Sequence, residues 1–323
     1  MSLSPKAYDT ATLEKHAEML ANRAHKVWKK LRPGFEKQNI GVFRIYDRDI
    51  PEVRAVVDWY EGHLVLGEYV REQTAGLPYL DILGQALREK FSLAPDQLHM
   101  RQRQTRPQDG ARYQRLEKKG ERLVVREGDL RFWVNLDDYL DTGLFADHRL
   151  TRSWVRSESE GRHVLNLYAY TGAFSVYAAK GGAASTTTVD MSENYLDWAW
   201  DNFKLNELDD LDRHSAVAEE TRLFLRSAAR EGRRWDIIIL DPPSFSTTRS
   251  GQELLEIQRD HPDLINEALA VLRRGGKLYF STNHQRFQPD FSRVKAGSIE
   301  DLTDTSTPID YEGKTPHRLF VIS

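Results

Sequence analysis

The sequence predicts an α/β protein in which a doubly wound parallel sheet follows a smaller α+β domain. Two observations carry that reading. From residue 163 onward, short apolar runs alternate with stretches of helical character, the pattern of successive βαβ units. Before residue 135 the apolar runs instead crowd together behind one amphipathic helix, as in an antiparallel meander. Residues 1–135 are therefore expected to form the α+β domain and residues 136–323 the doubly wound one.

The elements follow in order. Leu13, Ala17, Leu20, Ala24, Val27 and Leu31 recur in steps of four and three, one face of a helix. Asp9 or Thr10 can cap it, and Pro33-Gly34 is expected to end it. Its outer face carries Lys26, Lys29, Lys30 and Arg32, which reads as a solvated surface before it reads as an RNA contact. Strand-like runs follow at 42–47, 55–60 and 63–70, then a helix at 80–91 and a strand at 97–104. The stretch 122–135 reads as a hairpin turning at Glu127-Gly128-Asp129. Beyond it come strands at 163–170, 185–191, 214–220, 235–241 and 276–282, and a last one in HRLFVIS. Helices are expected after 170 to Lys180, over 193–206 and around 253–272; residues 287–312 are too polar to assign.

Composition narrows the function. With 323 residues, 40% hydrophobic and 29% charged, the chain can bury a sizeable core. It holds no apolar run approaching the roughly 20 residues that span a bilayer. The opening MSLSPKAYDT has no apolar centre of the secretory kind. The absence of cysteine removes disulfides, thiolate metal sites and cysteine nucleophiles, and suits a cytoplasmic location. Residues 1–150 carry 25 Lys+Arg against 23 Asp+Glu, and the remainder 21 against 26, so neither part is a general polyanion binder. One local exception, Arg101 to Arg122, holds eight basic and three acidic side chains. It is either a solvated loop surface or a phosphate-contacting patch in which Arg101, Arg103, Arg106, Arg112 and Arg115 would meet RNA.

In a doubly wound sheet, ligands bind beyond the carboxyl ends of the strands. The first strand is followed by NLYAYTGAFS, whose single glycine is Gly172. The G-x-G-x-x-G fingerprint for a pyrophosphate is missing, which argues against NAD and FAD. A ligand without phosphates, such as S-adenosylmethionine (SAM), needs only a tight turn and a helix start. Asp190, after the second strand, can accept both hydroxyls of a ribose or cap the next helix. Glu220, after the third, can accept an adenine amino group or stand exposed. The fourth strand delivers Asp241 and the motif Asp241-Pro242-Pro243-Ser244-Phe245, whose prolines stiffen the chain after the strand.

These phrases resemble class I SAM-dependent RNA methyltransferases with a Rossmann-like domain. The resemblance is to the C-terminal, guanine-N7 half of the bifunctional bacterial 23S rRNA methyltransferases of the RlmKL type. It rests on NLYAYTG, STTTVDMS, YLDWAWDNFKLN, DPPSFS and LYFSTN, and extends upstream through VNLDDYLDTGLFADHRL and RIYDRDIPE to EMLANR. It implies SAM as cofactor, 23S rRNA as partner and no metal. On matching positions it implies cofactor contacts from Tyr168, Tyr170, Thr171, Gly172, Asp190, Met191, Glu220 and Asp241, with Asp241 and Pro242 beside the transferred methyl. His148 and Arg149 would lie over the methionine end of SAM, or else pack at a domain junction. Glu220 stands where the family usually has Asp. The guanine-N2 half of the bifunctional proteins has no counterpart in these residues, so a stand-alone enzyme is expected.

Three target atoms compete. Methylation of cytosine C5 needs a cysteine nucleophile, which the chain lacks. Adenine-N6 enzymes use Asn/Asp-Pro-Pro-Tyr/Phe, and here Ser244 displaces the ring of Phe245 by one position. Guanine N7 has a free lone pair and needs no general base. Alignment, with Asp241 offsetting the developing positive charge and Phe245 or Tyr170 stacking on a flipped base, meets its requirements. Guanine N7 is therefore the expected target. Adenine N6 or guanine N2 is the alternative, and a small-molecule or protein substrate a remoter one.

Overall fold

The computed structural model of the protein describes residues 8–103, 120–247 and 253–323. The chain divides into two compact units, Met1–Asp129 with Val134–Thr142, and Leu130–Trp133 with Gly143–Ser323.

The first unit opens with helix α1 (Thr10–Lys37), capped by Asp9, whose side chain accepts the Thr12 N–H at 2.9 Å. The periodic apolar face is the buried one, with Leu13, Ala17, Leu20, Ala24 and Leu31 inside. The helix does not stop at Pro33-Gly34 as expected. A proline deletes one backbone hydrogen bond, but the turn beyond it seats Phe35 in the core, its ring 4.8 Å from that of Phe43. Packing overrides the local stop signal. Strands β1 (Val42–Asp47), β2 (Ala55–Tyr60) and β3 (His63–Tyr69) form the expected meander. Helix α2 (Tyr79–Phe91) then crosses over, and β4 (Leu98–Arg103) joins β3 in parallel, giving the order β1-β2-β3-β4. Leu20 of α1, Leu64 and Leu66 of β3, and Leu83 and Leu87 of α2 share one core. Strands β5 (Leu123–Glu127) and β6 (Leu130–Val134) pair as the expected hairpin, with Gly128 at φ 68° in its turn, and Leu130–Trp133 of β6 belong to the second unit.

The second unit is built on a seven-stranded sheet. Its elements are α3 (Arg149–Glu158), β7 (His163–Leu167), α4 (Ala173–Lys180), β8 (Ser185–Asp190), α5 (Glu193–Leu205), β9 (His214–Ala218), α6 (Thr221–Arg230) and β10 (Trp235–Leu240). The ribbon β11 (Phe245–Thr247) and β12 (Glu253–Glu256) follows, then α7 (Ile257–Leu269), β13 (Leu272–Thr282), β14 (Ile299–Asp301), α8 (Thr303–Ser306) and β15 (Arg318–Ile322). The order is β14-β15-β13-β10-β7-β8-β9, parallel from β13 to β9, with β15 antiparallel to β13. The chain winds outward from β7 through β8 to β9, then returns to lay β10 on the other side of β7. In a doubly wound sheet such a reversal, here beyond β7 and β10, is where the ligand crevice lies.

Burial on both faces explains why Ile237 to Leu240 are all apolar. Ile237 and Ile239 face Val155 of α3 with Phe174 and Ala178 of α4. Ile238 and Leu240 face Phe224 and Leu225 of α6 with Leu264 and Ile265 of α7. Such double coverage is what a parallel sheet requires.

The structure shortens two expected strands. The first ends at Leu167 rather than residue 170, because Tyr168 turns into the left-handed region at φ 53°. The third ends at Ala218, because Glu220 already caps α6. The helix expected around 253–272 begins only at Ile257, since 253–256 pair with β11. Residues 287–312, unassigned from sequence, hold β14 and α8. Among the described residues no helix is long and apolar enough to cross a membrane.

Candidate active site

The crevice of the second unit is lined first by the turn after β7. Tyr168 and Tyr170 have φ of 53° and 50°, and Gly172 has 70°. Non-glycine residues avoid this region because Cβ crowds the following carbonyl, at a cost of roughly 1–2 kcal/mol each. The turn is held from several sides. Asp190 Oδ2 accepts the Tyr170 N–H at 2.9 Å, and the Ala169 N–H donates to the Val189 carbonyl. The Thr171 hydroxyl donates to the Gly143 carbonyl at 2.6 Å, and Asn202 Nδ2 donates to the Thr171 carbonyl at 2.9 Å. Thr171 is thus buried with side chain and carbonyl both engaged, and it braces the turn rather than presenting a hydroxyl to a ligand. Tyr168 packs on the core, where burial pushes its phenol well above the ordinary value. The Tyr170 ring meets Tyr195 edge-on at 4.7 Å. Gly172 touches α5, where an added Cβ would stand 2.7 Å from the Ala199 Cβ.

Asp190 ends β8. Besides Tyr170, it accepts the Ser192 N–H on Oδ1 at 2.9 Å and a backbone hydrogen bond from Met191. Burial pushes its carboxyl above the ordinary value, and these three donors pull it back. The cap of α5 is Ser192, not Asp190. A carboxylate offers about four acceptor positions, so Asp190 has room for about one more donor, one fewer than both hydroxyls of a ribose would bring. The Met191 side chain is exposed. Glu220 caps α6 through both oxygens, taking the Arg222 and Leu223 N–H groups at 2.9 and 2.8 Å. Neither reading of Glu220 from sequence included that cap.

Across the crevice, Asp241 follows β10. Its Oδ1 accepts the Ser281 hydroxyl at 2.6 Å, while Oδ2 lies 3.6 Å from His148 Nε2, beyond hydrogen-bonding distance. Pro242 is buried, and Phe245, at the start of β11, is 44% exposed. Ser244 Oγ donates to Asn283 Oδ1 at 3.0 Å. His148 is buried and stacks on His317, with centroids 4.2 Å apart. Burial first, and then the His317 ring, hold its pKa below the ordinary value, while Asp241 and Asp147 act the other way. The balance keeps it a neutral imidazole near pH 7. His317 Nδ1 bonds Asp147 Oδ2 at 3.0 Å, and the donor atoms of Asp147, His148 and His317 all lie within 4.8 Å of one another.

Arg149 corrects an expectation. Its guanidinium lies against the fully buried Asp310 carboxylate, at 3.1 and 3.5 Å, so the fold takes up the charge expected over the methionine end of a cofactor. Ser281, Asn283, Asp310 and His317 were all missed from sequence. Ser281 and Asn283 were within reach of the rule applied to the other strands, because they end and follow β13.

The first unit corrects another expectation. Arg101 is 5% exposed, and its guanidinium donates to the carbonyls of Leu136, Tyr139 and Leu140 at 2.5, 2.7 and 2.5 Å. It is a buried staple and does not face solvent RNA. Arg103 is half-buried, while Arg106, Arg112 and Arg115 lie outside the described residues. Helices α1 and α2 carry one group of exposed basic side chains. Lys26, Lys29 and Lys90 are exposed and have no acidic partner among the described residues. His25 lies between the helices, and after burial it is Lys29 and Lys90 that lower its pKa. Trp28 carries His25 in a stack at 5.7 Å and the Arg32 guanidinium at 4.6 Å.

A sheet of this order, a strained turn after its first strand and acids after the second and fourth define a Rossmann-like methyltransferase domain. The family of S-adenosylmethionine-dependent methyltransferases matches residues 42–301, and the chain belongs to that family, with SAM as its cofactor. Over 307 residues it is 41% identical to ribosomal RNA large subunit methyltransferase K of Neisseria meningitidis, covering 94% of this chain and 86% of that protein. Over 318 residues it is 40% identical to ribosomal RNA large subunit methyltransferase K/L of Hahella chejuensis, covering 96% of this chain but 43% of that protein. In fold it matches a methyltransferase crystallised with SAH, at TM-score 0.74 and 23% identity over 96% of this chain and 81% of that one. A SAM-dependent methyltransferase from Streptococcus mutans matches at TM-score 0.73 and 23% identity, over 98% of this chain and 82% of that one.

Gly172→Ala is expected to strain the turn and press on Ala199, lowering stability by about 1–2 kcal/mol. Thermal unfolding measures this, and an unchanged Tm would show that the turn tolerates a side chain.

Proposed function

We propose that this protein methylates N7 of a guanine in 23S ribosomal RNA, in the cytoplasm, by direct transfer and without a covalent enzyme intermediate. Asp241 is the observation that carries this reading. It follows β10 at the point where the strand order reverses, Ser281 holds one of its oxygens, and the other has no hydrogen-bond donor within reach among the described residues. A fixed carboxylate with one open oxygen suits a nucleophile that gains positive charge as it reacts. No general base is needed for N7, because its lone pair is free before attack. With no cysteine in 323 residues, methylation at cytosine C5 through a covalent adduct has no nucleophile. The names of the relatives support ribosomal RNA as the substrate class.

When bound, SAM supplies an electrophilic methyl group. Asp190 would hold one ribose hydroxyl, and the backbone of Tyr168 to Gly172 would pack against the cofactor with Met191. Glu220 retains free lone pairs for an adenine amino group. Phe245, exposed beside Asp241, would stack on a base drawn out of its helix, offsetting an unstacking cost of a few kcal/mol. Methylation of an exocyclic amine, adenine N6 or guanine N2, is the second reading. It draws on the same Asp-Pro-Pro segment, but Ser244 stands where the aromatic of the N6 signature would be.

The first unit would position the RNA. Lys26 and Lys29 lie near one another on α1, a like-charge arrangement that destabilises an isolated helix, and Lys90 joins them from α2. With Trp28 already engaged by His25 and Arg32, the patch suits phosphates rather than bases.

Labelled SAM and 23S rRNA should give a product cleaved by borohydride and aniline at a guanine, and Asp241→Ala should abolish it; label on adenine N6 would reject the N7 assignment. Asp190→Ala should weaken SAM binding about tenfold or more, and calorimetry showing parental affinity would remove Asp190 from the cofactor site. Replacing Lys26, Lys29 and Lys90 by Ala should lower the magnitude of the salt slope of RNA binding by roughly 2. An unchanged slope would make the patch ordinary solvated surface.

A further inference from the structure

The amide of Asn283 is the polar group of the crevice edge that the reading above does not use. Strand β13 runs beside β10 with Phe280 opposite Leu240. Ser281 therefore meets Asp241, and Asn283 follows directly after Thr282, the last residue of β13. Asn283 is exposed, so burial does not account for its amide. Its Oδ1 accepts the Ser244 hydroxyl at 3.0 Å, which sets the orientation of the amide plane. Its Nδ2 donates to no acceptor among the described residues. The result is an oriented donor, with one lone pair of its oxygen engaged, just past the strand whose Ser281 meets the Asp241 carboxylate.

Purines differ at the position next to N7. Guanine presents the O6 acceptor there, and adenine presents the N6 amino donor. An asparagine that reads adenine uses its amide oxygen for N6 and its amide nitrogen for N7. Here Ser244 fixes the plane of the amide through that oxygen, and N7, where the nitrogen of an adenine-reading amide would bond, must stay unbonded if it is to attack the methyl group. The remaining Nδ2 hydrogens fit a carbonyl and clash with an amine. We infer that Asn283, oriented by Ser244, selects guanine by donating a hydrogen bond to O6 of the base that is methylated at N7, an assignment that rests on the N7 reading above. It also gives a reason for a serine between Pro243 and Phe245: the displaced aromatic makes room for the residue that aligns the amide.

The test begins with the unmodified protein. Borohydride and aniline cleavage locates the methylated nucleotide, and the shortest RNA retaining full kcat/KM is then made with guanine, inosine or 2-aminopurine at that position. Inosine keeps O6 and N7 and should retain kcat/KM within about threefold, whereas 2-aminopurine, lacking O6, should lose about tenfold or more. Asn283→Ala should lose the same factor on guanine and nothing further on 2-aminopurine, with SAM affinity unchanged. Ser244→Ala, which releases the amide, should narrow the preference of guanine over 2-aminopurine. Parental kcat/KM for Asn283→Ala on guanine overturns the assignment, as do losses that multiply on 2-aminopurine or an inosine defect equal to that of 2-aminopurine. A product of the unmodified protein that is cleaved at no guanine instead overturns the N7 reading, and is seen before any variant is made.

Discussion

The carboxylate of Asp190 holds the strained turn after β7, on which one wall of the crevice depends. Two tyrosines in that turn occupy a backbone region that L-residues avoid, so the turn keeps its shape only if its surroundings fix it. Asp190 does this from the end of β8 by taking the Tyr170 N–H, and Asn202 and Gly143 fix Thr171 from behind. The arrangement has an electrostatic cost, since burial alone raises the carboxyl and only its three backbone donors offset that. One carboxylate thus joins the ends of two neighbouring strands and still has an acceptor position left.

The charged groups of the protein divide into those the fold uses and those it leaves open. Arg101, Arg149 and Glu220 are used: each satisfies backbone or a buried partner that would otherwise be stranded at a cost of a few kcal/mol. Asp241 and Asn283 are each held through one oxygen, and the rest of each polar group remains available. That difference, more than residue type, separates the groups that brace this crevice from those left open to a ligand. Ser281 of β13 bonds Asp241 after β10, and Ser244 after β10 bonds Asn283 after β13, so two hydrogen bonds tie the ends of these strands together.

Much of this was legible in the residues. Apolar runs covered on both faces marked the parallel strands, and the position of an acid after each strand marked Asp190, Glu220 and Asp241. The helical face of α1 was legible for the same reason, since periodicity reports which side is buried. The misreadings arose where local signals met distant packing. Pro33-Gly34 signals a stop, but Phe35 is needed in the core. Arg101 sits in a basic stretch, but carbonyls 35 to 39 residues away claim it. Arg149 follows a family motif, but its partner Asp310 lies 161 residues on, in a segment with no periodicity to read.

By itself, then, the sequence determined the sheet and its winding, the absence of a thiol chemistry, and the acids that stand at the strand ends. These follow from nearest-neighbour patterning and from composition, both of which a linear chain displays. Only the tertiary structure decided which lone pairs and N–H groups remain unspent. That depends on partners brought together across the fold: Ser244 on Asn283, Ser281 on Asp241, and the backbone of Tyr170 on Asp190. A hydrogen bond between segments leaves no periodic trace in sequence, because its two halves are selected for their meeting point and not for their spacing.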